Sequence, residues 1–229
     1  MKVSVCLVLL FAAVCRGLQD CPAPSDPLNC KVGTVLCCDA NFQDTLNLTA
    51  ACGNTATFGD PFCMRRVIEQ MYEMGGPNGL LKVCSAFNVY DNCLGIAEEA
   101  CVSALFFVSH GIKPIIAEEF VRLYRSFHFA CGGGLNAYLQ HDTCMGQVFQ
   151  TQADVLRQCR DQYIANIQQD PTMACGYASI ALNCFQAPFA AACGGEAGYW
   201  ACEYERTSLS AFLPQCSSQC GMAQQGTIG

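Results

Sequence analysis

Basic residues are scarce in this chain: 12 lysines and arginines, four of them lysines, stand against 19 acids in 229 residues, for a formal charge of −7. No basic stripe is available to follow a nucleic-acid backbone or an anionic membrane surface, which removes both partner classes. Histidine is scarcer still, with only His110, His128 and His141, too few for the paired Cys and His sets that hold structural zinc. Beyond the first residues no apolar run is long enough to cross a membrane. The best stretch, Leu105 to Phe120, is interrupted by His110, Gly111, Lys113, Pro114 and two glutamates. A G-x-S-x-G elbow, a phosphate-cradling glycine loop and an EF-hand loop are all missing, and Ser109-His110 is an adjacent pair without triad geometry. No cofactor is therefore expected. Strand-like alternation is confined to one weak stretch, Val32 to Cys37.

Cysteine is what the chain has in excess. Met1 and Lys2 followed by the apolar run Val3 to Val14 read as a signal peptide over residues 1–17, with Cys15 and Gly17 small enough to flank a cleavage site. Removing it takes Lys2 and Arg16 but no acid, shifting the charge to −9, and leaves 18 of 20 cysteines: Cys21, Cys30, Cys37, Cys38, Cys52, Cys63, Cys84, Cys93, Cys101, Cys131, Cys144, Cys159, Cys175, Cys184, Cys193, Cys202, Cys216 and Cys220. An even number in an oxidising compartment predicts up to nine disulfides, so the mature chain is expected to be secreted and soluble, with no thiol spare for catalysis. Which cysteine joins which is left open by the sequence.

Helical punctuation is clear. Asp60-Pro61 places a capping side chain before a proline, and Val67, Ile68, Met71 and Met74 follow at helical spacing up to Gly75-Gly76-Pro77. Pro114 opens a second helix in which Ile116, Phe120, Leu123 and Phe127 form one stripe, while Glu118, Glu119, Arg122 and Arg125 fall mostly elsewhere. The proline-free span Asp142 to Gln169 reads as the longest helix, and two more are expected over Thr172 to Gln186 and Glu196 to Leu213, the last stacking Trp200 over Tyr204. The fold class is all-α, a disulfide-rich helical bundle.

The segment ACGYASIALNCFQAPFAAACGG places Cys175, Cys184 and Cys193 nine residues apart. Nine residues along an ideal helix turn a side chain by about 900°, so neighbours in this series face opposite sides and cannot meet at one metal ion. Pro188 and Gly194-Gly195 are expected to divide the segment into short helices, each offering cysteines to a different neighbour. The spacing around Asn183-Cys184 echoes that around Asn92-Cys93, between Cys84 and Cys101. Ala130-Cys131-Gly132-Gly133 echoes Ala192-Cys193-Gly194-Gly195, and Asp60-Pro61 echoes Asp170-Pro171. These echoes point to two related halves, residues 18–130 and 131–220, with coincidence in a cysteine-rich chain as the competing reading; residues 221–229 read as a flexible tail.

One piece looks catalytic. His141-Asp142-Thr143-Cys144 resembles the H-D-x-C core of secreted phospholipases A2, with Cys131-Gly132-Gly133-Gly134 upstream where that family has its calcium loop. The resemblance implies His141 as general base and Asp142 as calcium ligand. Ala137 and Tyr138 stand where the family's paired cysteines belong, and only six residues separate the glycines from His141. The plain alternative makes Asp142 a helix cap and His141 its surface neighbour. Asn47-Leu48-Thr49 is an N-glycosylation acceptor.

Taken in order, the signal peptide, the repeated Cys spacing with Asn-Cys, and CGGEAGYWACEYERTSLSAFLPQC from Cys193 to Cys216 resemble nematode secreted cysteine-rich helical domains and some nematode chondroitin proteoglycan core domains. The resemblance implies an extracellular helical disulfide domain with no catalytic residues; no Ser-Gly dipeptide is present for chondroitin attachment. The sequence therefore predicts a non-enzymatic extracellular binding or structural protein whose partner is another extracellular protein. Two alternatives are a carrier of a small apolar ligand, given 52% hydrophobic residues and a mean hydropathy of +0.24, with Phe106, Phe107, Phe120, Phe127 and Phe129 as lining, and a phospholipase A2-like hydrolase using His141 and Asp142.

Overall fold

A computed structural model describes residues 18–221; the signal peptide expected over residues 1–17 and residues 222–229 of the expected tail lie outside the described residues. Twelve α-helical segments follow one another, with no strand among the described residues: α1 (Val32–Leu46), α2 (Thr49–Cys52), α3 (Pro61–Met74), α4 (Leu80–Leu94), α5 (Glu98–Cys101), α6 (Ala104–Ser109), α7 (Pro114–Cys131), α8 (Leu135–Gln140), α9 (Asp142–Thr151), α10 (Ala153–Gln169), α11 (Ala174–Cys193) and α12 (Gly195–Ser210). Among the described residues no helix is long and apolar enough to cross a membrane. The supposed strand Val32 to Cys37 is the start of α1. Its alternation is superseded by helical spacing, which buries Val35, Cys38, Phe42 and Leu46 on one face.

Capping sets α3 where the sequence puts it: Asp60 accepts a hydrogen bond from the Cys63 amide at 3.0 Å and Pro61 begins the helix. Asp170 does the same job one half later, accepting from the Thr172 amide at 3.0 Å ahead of Pro171. The span Asp142 to Gln169, by contrast, is two helices. Thr151 Oγ1 donates back to the Gln147 carbonyl at 2.8 Å, and Gln152 leaves helical geometry at φ −116°, ψ 14°. The longest helix is instead α11, which runs unbroken through Pro188. A proline there frees the carbonyl of Cys184, four residues back and exposed, where water can take it. Cys184 and Cys193 are both bridged, so the helix is also tied on either side of the proline.

All 18 cysteines between Cys21 and Cys220 pair, as Cys21–Cys37, Cys30–Cys101, Cys38–Cys93, Cys52–Cys63, Cys84–Cys131, Cys144–Cys193, Cys159–Cys184, Cys175–Cys216 and Cys202–Cys220. Six of them in each half carry one pattern. Cys30, Cys38, Cys84, Cys93, Cys101 and Cys131 are joined first to fifth, second to fourth and third to sixth. Cys144, Cys159, Cys175, Cys184, Cys193 and Cys216 are joined in the same order. Asn92-Cys93 thus occupies the position of Asn183-Cys184, as the spacing predicts. The Ala-Cys-Gly-Gly echo does not survive, because the pairing matches Cys131 to Cys216 rather than to Cys193. Cys131 also ties to Cys84, so the boundary expected at residue 130 moves past Cys131, after which no bridge joins the halves.

Helices correspond in the same order. α1 packs on α4 through Cys38–Cys93 as α10 packs on α11 through Cys159–Cys184, and α7 follows α4 as α12 follows α11. The two last helices, α7 and α12, lie against each other, close enough for Ser126 Oγ to donate to the Tyr204 carbonyl at 3.0 Å. One apolar core runs across this seam from Val35 on α1 to Tyr204 on α12, with Trp200 stacked on Tyr204 at 5.0 Å; a smaller cluster around Tyr163 and Leu182 lies wholly in the second half. α3 has no counterpart in the second half and wedges between α7 and α9. Peptide mapping of the unreduced protein is expected to recover the first-to-fifth, second-to-fourth, third-to-sixth order twice. A single crossed link, Cys93 to Cys184 for example, would break the correspondence.

Candidate functional site

The wedge of α3 leaves a cavity of about 720 Å³ where α3, α7, α10, α11 and α12 converge. Its deep wall is apolar at Phe149, Leu156, Ile164, Ala181 and Leu209. Its charged lining is rich in arginine: Arg65 and Arg66 from α3, Arg122 from α7, and Arg157 and Arg160 from α10. Five of the chain's eight arginines therefore meet at one cavity. The facing acids are Asp60, Glu69, Glu73, Glu119, Asp161 and Glu205.

Two of those arginines are locked in a buried lattice. Arg65 donates to Glu119 through Nε at 3.0 Å and Nη2 at 2.8 Å, and its Nη1 lies 3.7 Å from Glu205. Arg160 grips Glu69 with two donors, at 2.7 and 3.1 Å, and Glu205 through Nε at 2.7 Å, with its guanidinium 4.6 Å above the Phe185 ring. Burial alone would raise the Glu205 carboxyl pKa; the Arg160 and Arg65 charges outweigh it and hold the group below its ordinary value. Arg160 itself loses by burial and gains more from Glu205 and Glu69, so it stays charged. The lattice joins α3, α7, α10 and α12, and so couples the two halves by charge as well as by core.

The sequence-predicted catalytic pair lies elsewhere. His141 precedes α9 and places Nε2 3.2 Å from Glu196 Oε2. Asp142 does not cap its helix: its Oδ2 accepts from the Gly76 amide at 2.6 Å, tying the start of α9 to the turn after α3, while Oδ1 is buried without a partner. Neither residue lines the cavity. Of the glycines upstream Gly134 serves packing, since a Cβ there would come within 2.8 Å of both Phe129 and Trp200 Nε1, whereas Gly133 stands in open space. Cys21, Cys38 and Cys93 are the only clustered metal-type ligands among the described residues, and all are consumed in disulfides. Phe106, Phe107, Phe120 and Phe127 are buried in the core, Phe129 packs against it, and none of the five lines the cavity. Asn47 is exposed at the end of α1 in the left-handed region, φ 54°.

Glu119 is a residue the sequence set off the apolar stripe without giving it a partner. α7 is buried on two sides, so the face bearing Glu119, Ser126 and Ala130 is as inaccessible as the aromatic stripe. A small residue two turns along from an acid was the available signal. No family model, curated protein or solved structure matches this chain.

Breaking the lattice should be costly. Arg160→Met leaves Glu69 and Glu205 with only the long contacts to Arg65, at 4.0 and 3.7 Å, and is expected to lower stability by about 3 kcal/mol in guanidinium denaturation near neutral pH, whereas Arg157→Met, at an exposed pair with Asp154, should leave the midpoint unchanged. Because the folded Glu205 pKa is depressed, its stabilisation is complete above its unfolded value of about 4.3 and is lost as pH falls through the folded one. Glu205→Gln should therefore flatten the acid limb of a stability profile between about pH 5 and pH 2, and an unchanged limb would remove Glu205 from the account.

Proposed function

We propose that this protein is a non-enzymatic extracellular binding protein that carries a small apolar molecule in the cavity between α3, α7, α10, α11 and α12. The observation that carries this reading is the cavity itself: about 720 Å³ lies inside the range of roughly 300–1,000 Å³ typical of small-molecule sites, and an apolar wall stands opposite a strongly charged one. Dense bridging supports an oxidising compartment, and the exposed Asn47 supports glycosylation during export. The cysteine-spacing resemblance to nematode secreted helical domains is in keeping with both. Hydrolysis through His141 and Asp142 is the competing function. It requires the Asp142 carboxylate to release the Gly76 amide before taking calcium, and calcium-dependent turnover of a labelled phospholipid would establish it.

Filling the cavity separates binding from folding. Ala181 stands on α11 at the apolar wall, so Ala181→Trp is expected to weaken binding of the neutral fluorophore N-phenyl-1-naphthylamine by about tenfold or more while leaving the helical circular dichroism unchanged. Equal binding by both proteins would place the apolar site elsewhere.

A further inference from the structure

We infer that the cavity takes an amphipathic carboxylate whose head is held by Arg122 and Tyr163. This rests on the carrier reading above and adds the ligand's class. Of the five lining arginines, Arg65 and Arg160 are spent on the lattice and Arg157 on Asp154. Arg66 is exposed at the rim, with Nη2 3.3 Å from Cys63 Sγ. Among the described residues Arg122 has no carboxylate within 4.0 Å. Its guanidinium lies instead against two rings, 5.7 Å from the centroid of Tyr163 and 5.3 Å from that of Phe212.

Arg122 Nε and the Tyr163 hydroxyl are both buried without a hydrogen-bond partner, and Tyr163 as a whole is 4% exposed. Arginine has no acceptor, whereas the phenolic oxygen both accepts and donates, so Arg122 answers part of what Tyr163 needs: burial pushes the phenol above its ordinary pKa, Arg122 beside it pulls it partly back, and the hydroxyl keeps its proton. What stays unanswered is the Tyr163 O–H proton next to a guanidinium that meets no carboxylate, and an anionic acceptor would gain most from the two together. The acids around them do not fill that role: Glu205 faces Arg160, Glu119 faces Arg65, and Glu118 acts on Tyr163 only through space. Behind the pair the wall is Leu156, Ile164, Ala181 and Leu209. A two-oxygen head on the donors with an aliphatic body along this wall would satisfy both parts of the lining.

The test uses dodecanoate and dodecanol, which share a chain and differ in the head, with binding to the secreted, disulfide-intact protein read by calorimetry near neutral pH. Dodecanoate is expected to bind about tenfold or more tighter than dodecanol. Arg122→Gln should abolish that preference and Tyr163→Phe reduce it, with dodecanol affinity unchanged in both, which also reports that the variants are folded. Equal affinities in the unmodified protein would overturn the carboxylate assignment and leave the carrier reading standing. A preference that persists in Arg122→Gln would overturn the assignment to this residue. Binding of neither compound would overturn both.

Discussion

A helix with a cysteine every ninth residue must be held from opposite sides, because nine residues are two and a half turns. In α11 that constraint sets the second half of the molecule. Cys184 faces α10, Cys193 reaches α9, and Cys175 catches the chain beyond α12. α4 obeys the same rule with Cys84 and Cys93, turned toward α7 and α1. Once each central helix is gripped on both faces, its neighbours have little freedom over where to lie. The nesting of bridges sharpens this: the Cys30–Cys101 bridge spans 71 residues and encloses the 55 spanned by Cys38–Cys93, so with the inner bridge formed the outer one closes only the remaining 16. Closing so short a loop is worth about 3 kcal/mol in the chain-entropy account, less than its nominal span would suggest.

Two halves of one pattern meet through equivalent helices, and what fills the seam is the part of the first half that the second lacks. α3 enters with Arg65 and Glu69 and finds Glu119, Arg160 and Glu205 waiting on α7, α10 and α12. Buried ion pairs of this kind add little net stability over a well-packed apolar contact, but they penalise any arrangement that leaves one member alone. A lattice of three acids and two arginines therefore acts on geometry more than on stability. It fixes how far α3 can sink between the halves, and with it the size of the cavity.

Much of the fold was legible because it rests on local signals. Asp60-Pro61 and Pro114 mark helix starts whose mechanism needs only the residues beside them, and the turn of 180° between cysteines nine apart follows from helix geometry alone. Boundaries failed where tertiary ties override local preference. Pro188 ought to end a helix, yet α11 continues with bridges on either side; Asp142 to Gln169 has no breaker, yet Thr151 and Gln152 end a helix there. The site was less legible than the fold, since it is assembled from five helices and none of its residues forms a motif. Glu119 lies off the apolar stripe and gains its meaning only from the second buried face of α7, and Arg122 differs from Arg125, its neighbour on the same helix, only in what surrounds it. The sequence's one motif-like candidate, His141-Asp142, is drawn into tying α9 to α3.

Nine bridges also change what the interior can tolerate. In a domain that depends on packing alone, an open cleft of several hundred cubic ångströms at the junction of five helices would be a loss, since the apolar side chains along it face water instead of one another. Here the bridges constrain the unfolded chain by about 2–4 kcal/mol apiece, so stability does not require that junction to be filled. The same economy explains the donors left without partners. Arg122 is half-buried beside a lattice in which Arg65 and Arg160 are matched to acids, and a core selected only for stability would replace such a group with an apolar one at no cost. An arginine with no carboxylate, set on an open and bridge-supported cleft, is the feature the proposed carrier would use.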